Sequence, residues 1–307
     1  RILCGSRAPK GRSKDRICRR MSLWRNLRPS RMPAKKNCLM SNAEAVAMAG
    51  HLVGRVIVAA PKTDWYSLQI FKNSFLDGLS KGEVKGWQDA GVPNFNSRAV
   101  MTGEDDVTVG HDRLKAKHIV LATGATPRHA EIPGTENIHD SEPFLNLPDL
   151  PKPIVFIGGG YISFEFAHVA IRAGAKKVTI LHRSSKPLKA FDQDIVKTVI
   201  KASEAEGLSV TLNESPKSVE SADNGLILQS FKGVVYEADL IIESTGRVPN
   251  LSVLEGGYGK VESSLRGVIV NEYLQSVSNP RVYAIGDCTA TQYMLPTAAD
   301  GYSEIVC

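Results

Sequence analysis

IVFIGGGYISFEFAHVAIRAGAKKVTILHR, residues 154–183, reads as strand, glycine turn, helix and second strand. Ile154–Ile157 is a short apolar run, and Gly158, Gly160 and Ser163 follow at G-x-G-x-x-G spacing with serine last. Phe164 to Arg172 continues at helical spacing, Gly174 can stop the helix, and Val178–Leu181 is a second apolar strand. Such a unit binds a dinucleotide. Gly158 makes the tight turn, Gly160 lets the backbone approach a pyrophosphate, and a small third residue lets helix and strand pack closely. The phosphates then lie at the helix N-terminus, where free N–H groups and the dipole favour anions. Glycine turns without a ligand share this spacing, so the flanking strand and helix carry the reading.

The end of the second strand decides which dinucleotide. An acidic residue there suits the ribose hydroxyls of NAD, whereas a 2′-phosphate wants cations. Here Leu181-His182-Arg183 is followed by Lys186 and Lys189, and no carboxylate appears before Asp192. Arg183 can grip a phosphate with its planar fork and Lys189 can add a point charge, which favours NADPH over NADH. A solvated basic loop is the plainer alternative.

At 307 residues the chain has room for about two domains. A hydrophobic content of 42 % and charged content of 23 % are those of a globular protein. No apolar run reaches the length of a membrane helix, so no membrane partner is expected, and the lack of a readable disulfide framework makes a reducing cytoplasm the default. The net charge of +6 is unevenly spread. Residues 1–40 hold 13 Lys and Arg and one acid, Asp15, which leaves 25 basic and 31 acidic residues and a net of −6 elsewhere. The basic character belongs to this arm, and no nucleic-acid binding is inferred for the body. The arm has no sustained period. It reads as a transit-like segment, a binder of anionic polymers, or sequence foreign to the fold, and the last is favoured. The five cysteines have no pair at C-x-x-C or C-x₄-C spacing, and the histidines show no metal-ligand spacing, so no metal site is expected.

Residues 41–60 are alanine-rich and partly helical by pattern. Asp64 to Ala90 reads as one helix capped by Asp64, with Trp65, Leu68, Phe71, Phe75, Leu76 and Leu79 as its core stripe. Short strands follow at Ser97–Met101, Val107–Val109 and His118–Leu121, then a link with five prolines, IPGTENIHDSEPFLNLPDLPKP, read as a domain boundary. Beyond the glycine unit, Ile195–Glu206 reads as helix, Leu208–Leu212 as strand, and Leu226–Phe231 with Val234–Ala238 as a hairpin. Leu240–Glu243, Gly267–Val270 and Val282–Ile285 complete the apolar runs.

Four segments in order, IVLATGATPR (119–128), the unit at 154–183, IIESTGRVPN (241–250) and VYAIGDC (282–288), resemble the pyridine nucleotide-disulfide oxidoreductases. The resemblance implies an α/β fold of two Rossmann-like domains, the NAD(P) domain inserted in an FAD domain. It assigns 41–147 and 281–307 to an incomplete FAD domain, 148–280 to the NADPH domain, and leaves 1–40 outside the fold. It also implies that Thr123, Gly124, Gly286 and Asp287 bind FAD, Asp287 through the ribityl chain. Tyr161 and Glu165 would lie near the nicotinamide, Arg183 and Lys189 at the 2′-phosphate, and Gly246 and Arg247 on NADPH. Glu165 on an otherwise apolar helix needs a partner whatever the family.

Several family features are absent from this sequence: the N-terminal FAD fingerprint, the redox cysteine pair and the C-terminal interface domain. Lys35-Lys36 matches the lysine pair that follows the redox cysteines, while Met32 stands where the second cysteine would be. Cys288 reads as a small buried residue in a turn. The implied function is hydride transfer from NADPH to flavin and on to a small-molecule or disulfide acceptor. The expectation is NADPH binding, weak or no FAD binding and impaired turnover. The family is homodimeric, but the dimer domain is not found here. A non-catalytic NADPH-binding module is the alternative.

Overall fold

The apolar run at 154–157 becomes the second strand of a four-stranded parallel sheet, with a neighbour on each side. This is a computed structural model, and it describes residues 2–4, 31–76 and 79–290, with side chains from Lys35 onward except at 79–81 and 83–84. In chain order its first half contains β1 (Ile2–Cys4), α1 (Arg31–His51), α2 (Trp65–Leu76), α3 (Leu79–Asp89), β2 (Ala99–Met101), β3 (Asp106–Val109), β4 (Asp112–Lys115), β5 (Ile119–Leu121), β6 (Ala125–Pro127) and α4 (Ser141–Phe144). Then follow β7 (Pro153–Ile157), α5 (Tyr161–Arg172), β8 (Lys177–His182), α6 (Gln193–Ala205), β9 (Leu208–Leu212), β10 (Pro216–Ala222), β11 (Gly225–Ser230), β12 (Val235–Ala238) and β13 (Leu240–Glu243). The last strands are β14 (Arg247–Pro249), β15 (Ser263–Ser264), β16 (Gly267–Val268) and β17 (Val282–Ala284).

The chain forms two compact units: Pro29–Ser80 with Pro127–Gly246, and Arg1–Arg28 with Lys81–Thr126 and Arg247–Cys307. The first holds the parallel sheet, ordered β13-β7-β8-β9. The β7–β8 register sets Ile157 beside Leu181, and the β13–β7 register sets Glu243 beside Ile157. β7, β8 and β13 are almost continuously buried, as strands covered on both faces must be. An antiparallel sheet, β10-β11-β12, belongs to the same unit. Helix α5 ends as the sequence suggests: Ala175 N–H bonds back to the Ala170 carbonyl across Gly174, whose φ of 106° favours glycine. Asp192 caps α6, its carboxylate accepting from Asp194 N–H at 2.9 Å and Ile195 N–H at 3.2 Å.

The core of this unit reaches into segments that the sequence left aside. Leu39 and Ala43 of α1 pack in one buried cluster with Phe164, Phe166 and Ala167 of α5. Helix α1 starts at Arg31 and packs here, so residues 31–40 are not outside the fold. The proline-marked link also packs inward. Phe144 is wholly buried, stacked on Phe166 at 5.0 Å and edge-on to Phe156 at 6.0 Å, with Trp65 at 5.9 Å. Burying a side chain of that size contributes roughly 2–3 kcal/mol. The compact units divide at 126/127 and 246/247, where the sequence reading cut at 147/148 and 280/281.

Asp64 caps α2, accepting from Ser67 N–H at 3.1 Å, and the expected helix is described at Trp65–Leu76 and Leu79–Asp89, with 77 and 78 outside the described residues. The expected apolar stripe is wrong in part. Trp65 is buried, yet Phe71 and Phe75 are 57 % and 58 % exposed, and the inward positions are Gln69 and Lys72. Lys72 is 1 % exposed and donates to Gln69 Oε1 and the Leu145 carbonyl. Burial lowers its pKa.

In the other unit β5 lies parallel to β17, with Val282 beside Ile119, and β1 runs antiparallel along the other edge of β5, with Ile2 beside Leu121. Ile2–Cys4 thus forms one edge of this three-stranded sheet, with β5 between it and β17. The meander β2-β3-β4 completes the unit's larger sheets. Met101, Val107, Ile119, Leu121, Val282 and Ala284 form its buried core.

Candidate functional site

The glycine turn sits at the carboxyl end of β7, where β13 lies on one side and β8 on the other. Chain order reverses there, which makes the crevice above it a topological switch point, the usual ligand site of open α/β sheets. Gly158 has a φ of 112°, and a Cβ on it would stand 2.6 Å from the Ser244 carbonyl oxygen. Both conditions demand glycine. At Gly160, the N-cap of α5, a Cβ would meet only Ser244 O at 3.7 Å, and no side chain caps the helix. The positive end of α5 thus faces the crevice uncapped. Ser163 is fully buried, as helix–strand packing requires.

Gly159, which the fingerprint reading passes over, is as constrained as Gly158. A Cβ there would stand 2.7 Å from the His182 ring and 2.8 Å from Pro187. The absence of a side chain lets the segment 182–189 dock on the turn. Gly159 N–H donates to His182 Nδ1 at 3.0 Å, and Leu188 N–H donates to the Gly159 carbonyl at 2.8 Å. With Nδ1 accepting, the ring proton is on Nε2, which faces Ser184 Oγ at 2.9 Å and the Lys186 carbonyl at 3.2 Å. Burial first, then the charges of Lys189 and Arg183, hold the His182 pKa below its ordinary value, against the opposing Lys186 hydrogen bond. The imidazole is a neutral strut for the turn. The clue in the sequence is the run of three glycines, whose middle member also needs a reason.

Arg183, Lys186 and Lys189 are exposed on this docked loop, and none takes part in an ion pair among the described residues. Tyr161 is 54 % exposed at the start of α5. One turn on, Glu165 meets the partner that the sequence says it needs: Lys36 Nζ lies 2.6 Å from its Oε2, outside hydrogen-bond angles. The same ammonium lies 5.8 Å from the centre of the Tyr161 ring. Lys35 lies 4.0 Å from Glu142.

The turn after β13 closes the crevice from the other side. Ser244 N–H donates to the Ile157 carbonyl at 2.7 Å. Glu243, almost fully buried, accepts from Ala130 N–H at 2.7 Å and from Thr245 Oγ1 at 2.7 Å. Gly246 follows with a φ of 137°. These contacts gather Gly158, Gly160, Ser163, Glu165, Tyr161, Arg183, Lys189 and Gly246 in one unit. Its features fit a phosphorylated dinucleotide: glycines cleared for close approach, an uncapped helix end and unpaired cations.

Thr123, Gly124, Arg247, Gly286 and Asp287 belong to the other unit. Thr123 Oγ1 donates to the Asn250 carbonyl at 2.6 Å, and Asn250 N–H donates to the Gly124 carbonyl at 2.8 Å. Arg247 donates to the Ala125 carbonyl. Gly286 opens a short 3₁₀ turn, Gly286–Cys288, directly after β17, and Ile285 N–H bonds to Leu121 O at 2.9 Å. Asp287 and Thr123 therefore sit beyond the ends of adjacent parallel strands. A flavin fits these residues incompletely, because no strand–glycine turn–helix is found among the described residues of this unit. Cys288 is buried, as read from sequence. Among the described residues there is no cluster that could hold a metal, and no helix is long and apolar enough to cross a membrane.

The sequence profile described as pyridine nucleotide-disulphide oxidoreductase matches residues 40–301. Trypanothione reductase of Trypanosoma congolense is 28 % identical over 258 residues, covering 80 % of this chain and 52 % of the relative. The chloroplastic/mitochondrial glutathione reductase of Pisum sativum is 35 % identical over 241 residues, covering 78 % of this chain and 43 % of the relative. The chain thus spans about half the length of the curated relatives it matches. The solved structure of the HOCl-induced flavoprotein disulfide reductase of Escherichia coli aligns with a TM-score of 0.78 at 22 % identity, covering 89 % of this chain and 60 % of that one. That likeness shows the fold.

Proposed function

Because the chain belongs to the pyridine nucleotide-disulphide oxidoreductase family, we propose that it is the dinucleotide-binding part of a flavin-dependent NAD(P)H oxidoreductase that prefers NADPH. The observation that carries this reading is the docked loop: Arg183 and Lys189 stand exposed and unpaired beside an uncapped helix N-terminus. A 2′-phosphate would meet the guanidinium fork of Arg183 and the ammonium of Lys189, while the pyrophosphate would lie on the first turn of α5. Tyr161 would cover the nicotinamide pocket. Glu165, its charge balanced by Lys36, would accept hydrogen bonds from the carboxamide end of the ligand.

Hydride transfer to flavin and delivery to a small-molecule or disulfide acceptor enter through the family alone. Family flavins take hydride from the nicotinamide, and the names of the relatives point to disulfide acceptors. The flavin half is supported less, so weak flavin binding and impaired turnover remain part of the proposal, as do the family's homodimer and a cytoplasmic setting. A non-catalytic NADPH-binding module is favoured by one observation: the two cysteines whose side chains are described, Cys38 and Cys288, are both free. NADPH oxidation by the full chain with added FAD and a disulfide separates the two. Steady turnover supports the oxidoreductase. Tight NADPH binding without turnover supports the module, and failure to bind NADPH sinks both.

A further inference from the structure

The hydroxyl of Ser244 is buried and has no hydrogen-bond partner among the described residues. Leaving a buried hydroxyl unpaired costs on the order of 1–3 kcal/mol, so its position calls for an explanation. Ser244 is the first residue past the carboxyl end of β13, at the switch point between β13 and β7. Its carbonyl oxygen would stand 2.6 Å from a Cβ on Gly158 and 3.7 Å from one on Gly160. The residue therefore borders the crevice beside the glycine turn and the N-terminus of α5. Its neighbour differs: the Thr245 hydroxyl is committed to Glu243, whose buried carboxylate also holds Ala130 N–H. Those bonds fix the turn and leave Ser244 as its one uncommitted hydroxyl. The residue as a whole is only half-buried, and a serine has a single side-chain torsion with three staggered wells, so the hydroxyl can swing to the crevice without moving the backbone.

The fully buried Ser163 Oγ also lacks a partner, but it lies within the helix–strand packing, where small size is reason enough for the residue.

We propose that Ser244 is a dinucleotide-binding residue, donating its hydroxyl proton to an oxygen on the nicotinamide side of the pyrophosphate. In that reading the Arg183 loop holds the adenosine side and the α5 terminus the pyrophosphate, while Ser244 follows β13, on the other side of β7 from β8 and that loop. The inference rests on the dinucleotide reading of this site and adds a residue to it.

The test titrates the full chain and Ser244→Ala with NADPH and with 2′,5′-ADP, which keeps the 2′-phosphate and adenosine but lacks the nicotinamide half. Thermal melts of both proteins check the fold. The expected result is NADPH affinity lowered about tenfold in the variant, the size of one hydrogen bond to a charged oxygen, with 2′,5′-ADP affinity and melting temperature unchanged. Equal NADPH affinity in the two proteins overturns the assignment. So does equal weakening toward both ligands, which would make Ser244 a support of the turn. Wild-type chain that binds neither ligand overturns the dinucleotide reading itself.

Discussion

Two turns of this molecule look alike on paper and differ in their surroundings. Gly158 follows β7 and Gly124 follows β5, each with a positive φ, of 112° and 68°. A Cβ on Gly158 would strike the backbone of Ser244, whereas a Cβ on Gly124 would meet nothing within 4 Å. The first turn is wedged between two strands and opens a helix. The second is followed by β6, and the nearby threonine hydroxyl already serves Asn250. A nucleotide site is made by the continuous strand, turn and helix. Around the second turn the described residues supply strand ends alone, with no helix opening from the turn.

The comparison is broken most forcefully by alanine at each turn. Gly158→Ala should cost about 2–4 kcal/mol of stability and abolish NADPH binding, while Gly124→Ala should cost about 1–2 kcal/mol, the backbone penalty alone. Denaturant melts of the two variants measure this. Equal losses would show that crowding at Gly158 does not matter.

Next in size is Arg183→Ala. It should weaken NADPH about ten- to hundredfold and leave NADH within about twofold, since one charge-assisted fork is lost. Titration with both nucleotides tests this, and parallel losses would mark the loop as a support and not a phosphate grip.

Lys36→Met should lower stability by about 1 kcal/mol or less, because both partners of the Lys36–Glu165 pair keep about a quarter of their side-chain surface in water, 28 % each. A larger loss in a urea melt would mean that Glu165 depends on this cation far more than its exposure suggests.

The smallest effect is that of pH. The folded pKa of His182 lies below its unfolded value, so the unfolded chain binds the extra proton first. Its contribution should be complete above about pH 6.5 and be lost as pH falls below that value and through the lower folded pKa. Protonating Nδ1 would remove the acceptor for Gly159 N–H. Melting temperatures of wild type and His182→Asn should converge as pH drops from 7 to 5. A constant gap would show that the imidazole is not the strut described.

The nucleotide half was readable because its chemistry is local. Strands Leu208–Leu212 and Leu240–Glu243 and the helix that follows Gly160 lie where periodicity and caps put them. What escaped depends on distant partners. β4 escapes the pattern because Asp112 and Arg113 are exposed, and β10 because its residues are mostly polar. The buried face of α2 was misjudged because pattern reading assumes that lysine faces outward. Lys72 goes inward to a carbonyl 73 residues away, a partner no window of sequence contains. Gly159 and His182 were hidden for the same reason, since their meaning is the contact between them.

The interleaving of the two units sets an order of assembly on the ribosome. The parallel-sheet unit is complete once Gly246 has emerged, but β5 must wait for Val282–Ala284 before its parallel neighbour exists. Chains are made at roughly 5–20 residues per second, and segments fold as they become available. For several seconds a growing chain would carry a finished parallel-sheet unit and a half-built companion whose strand Ile119–Leu121 lacks that neighbour. Chaperones that shield such edges would find their binding site on the companion, and early ligand binding would stabilise only its partner.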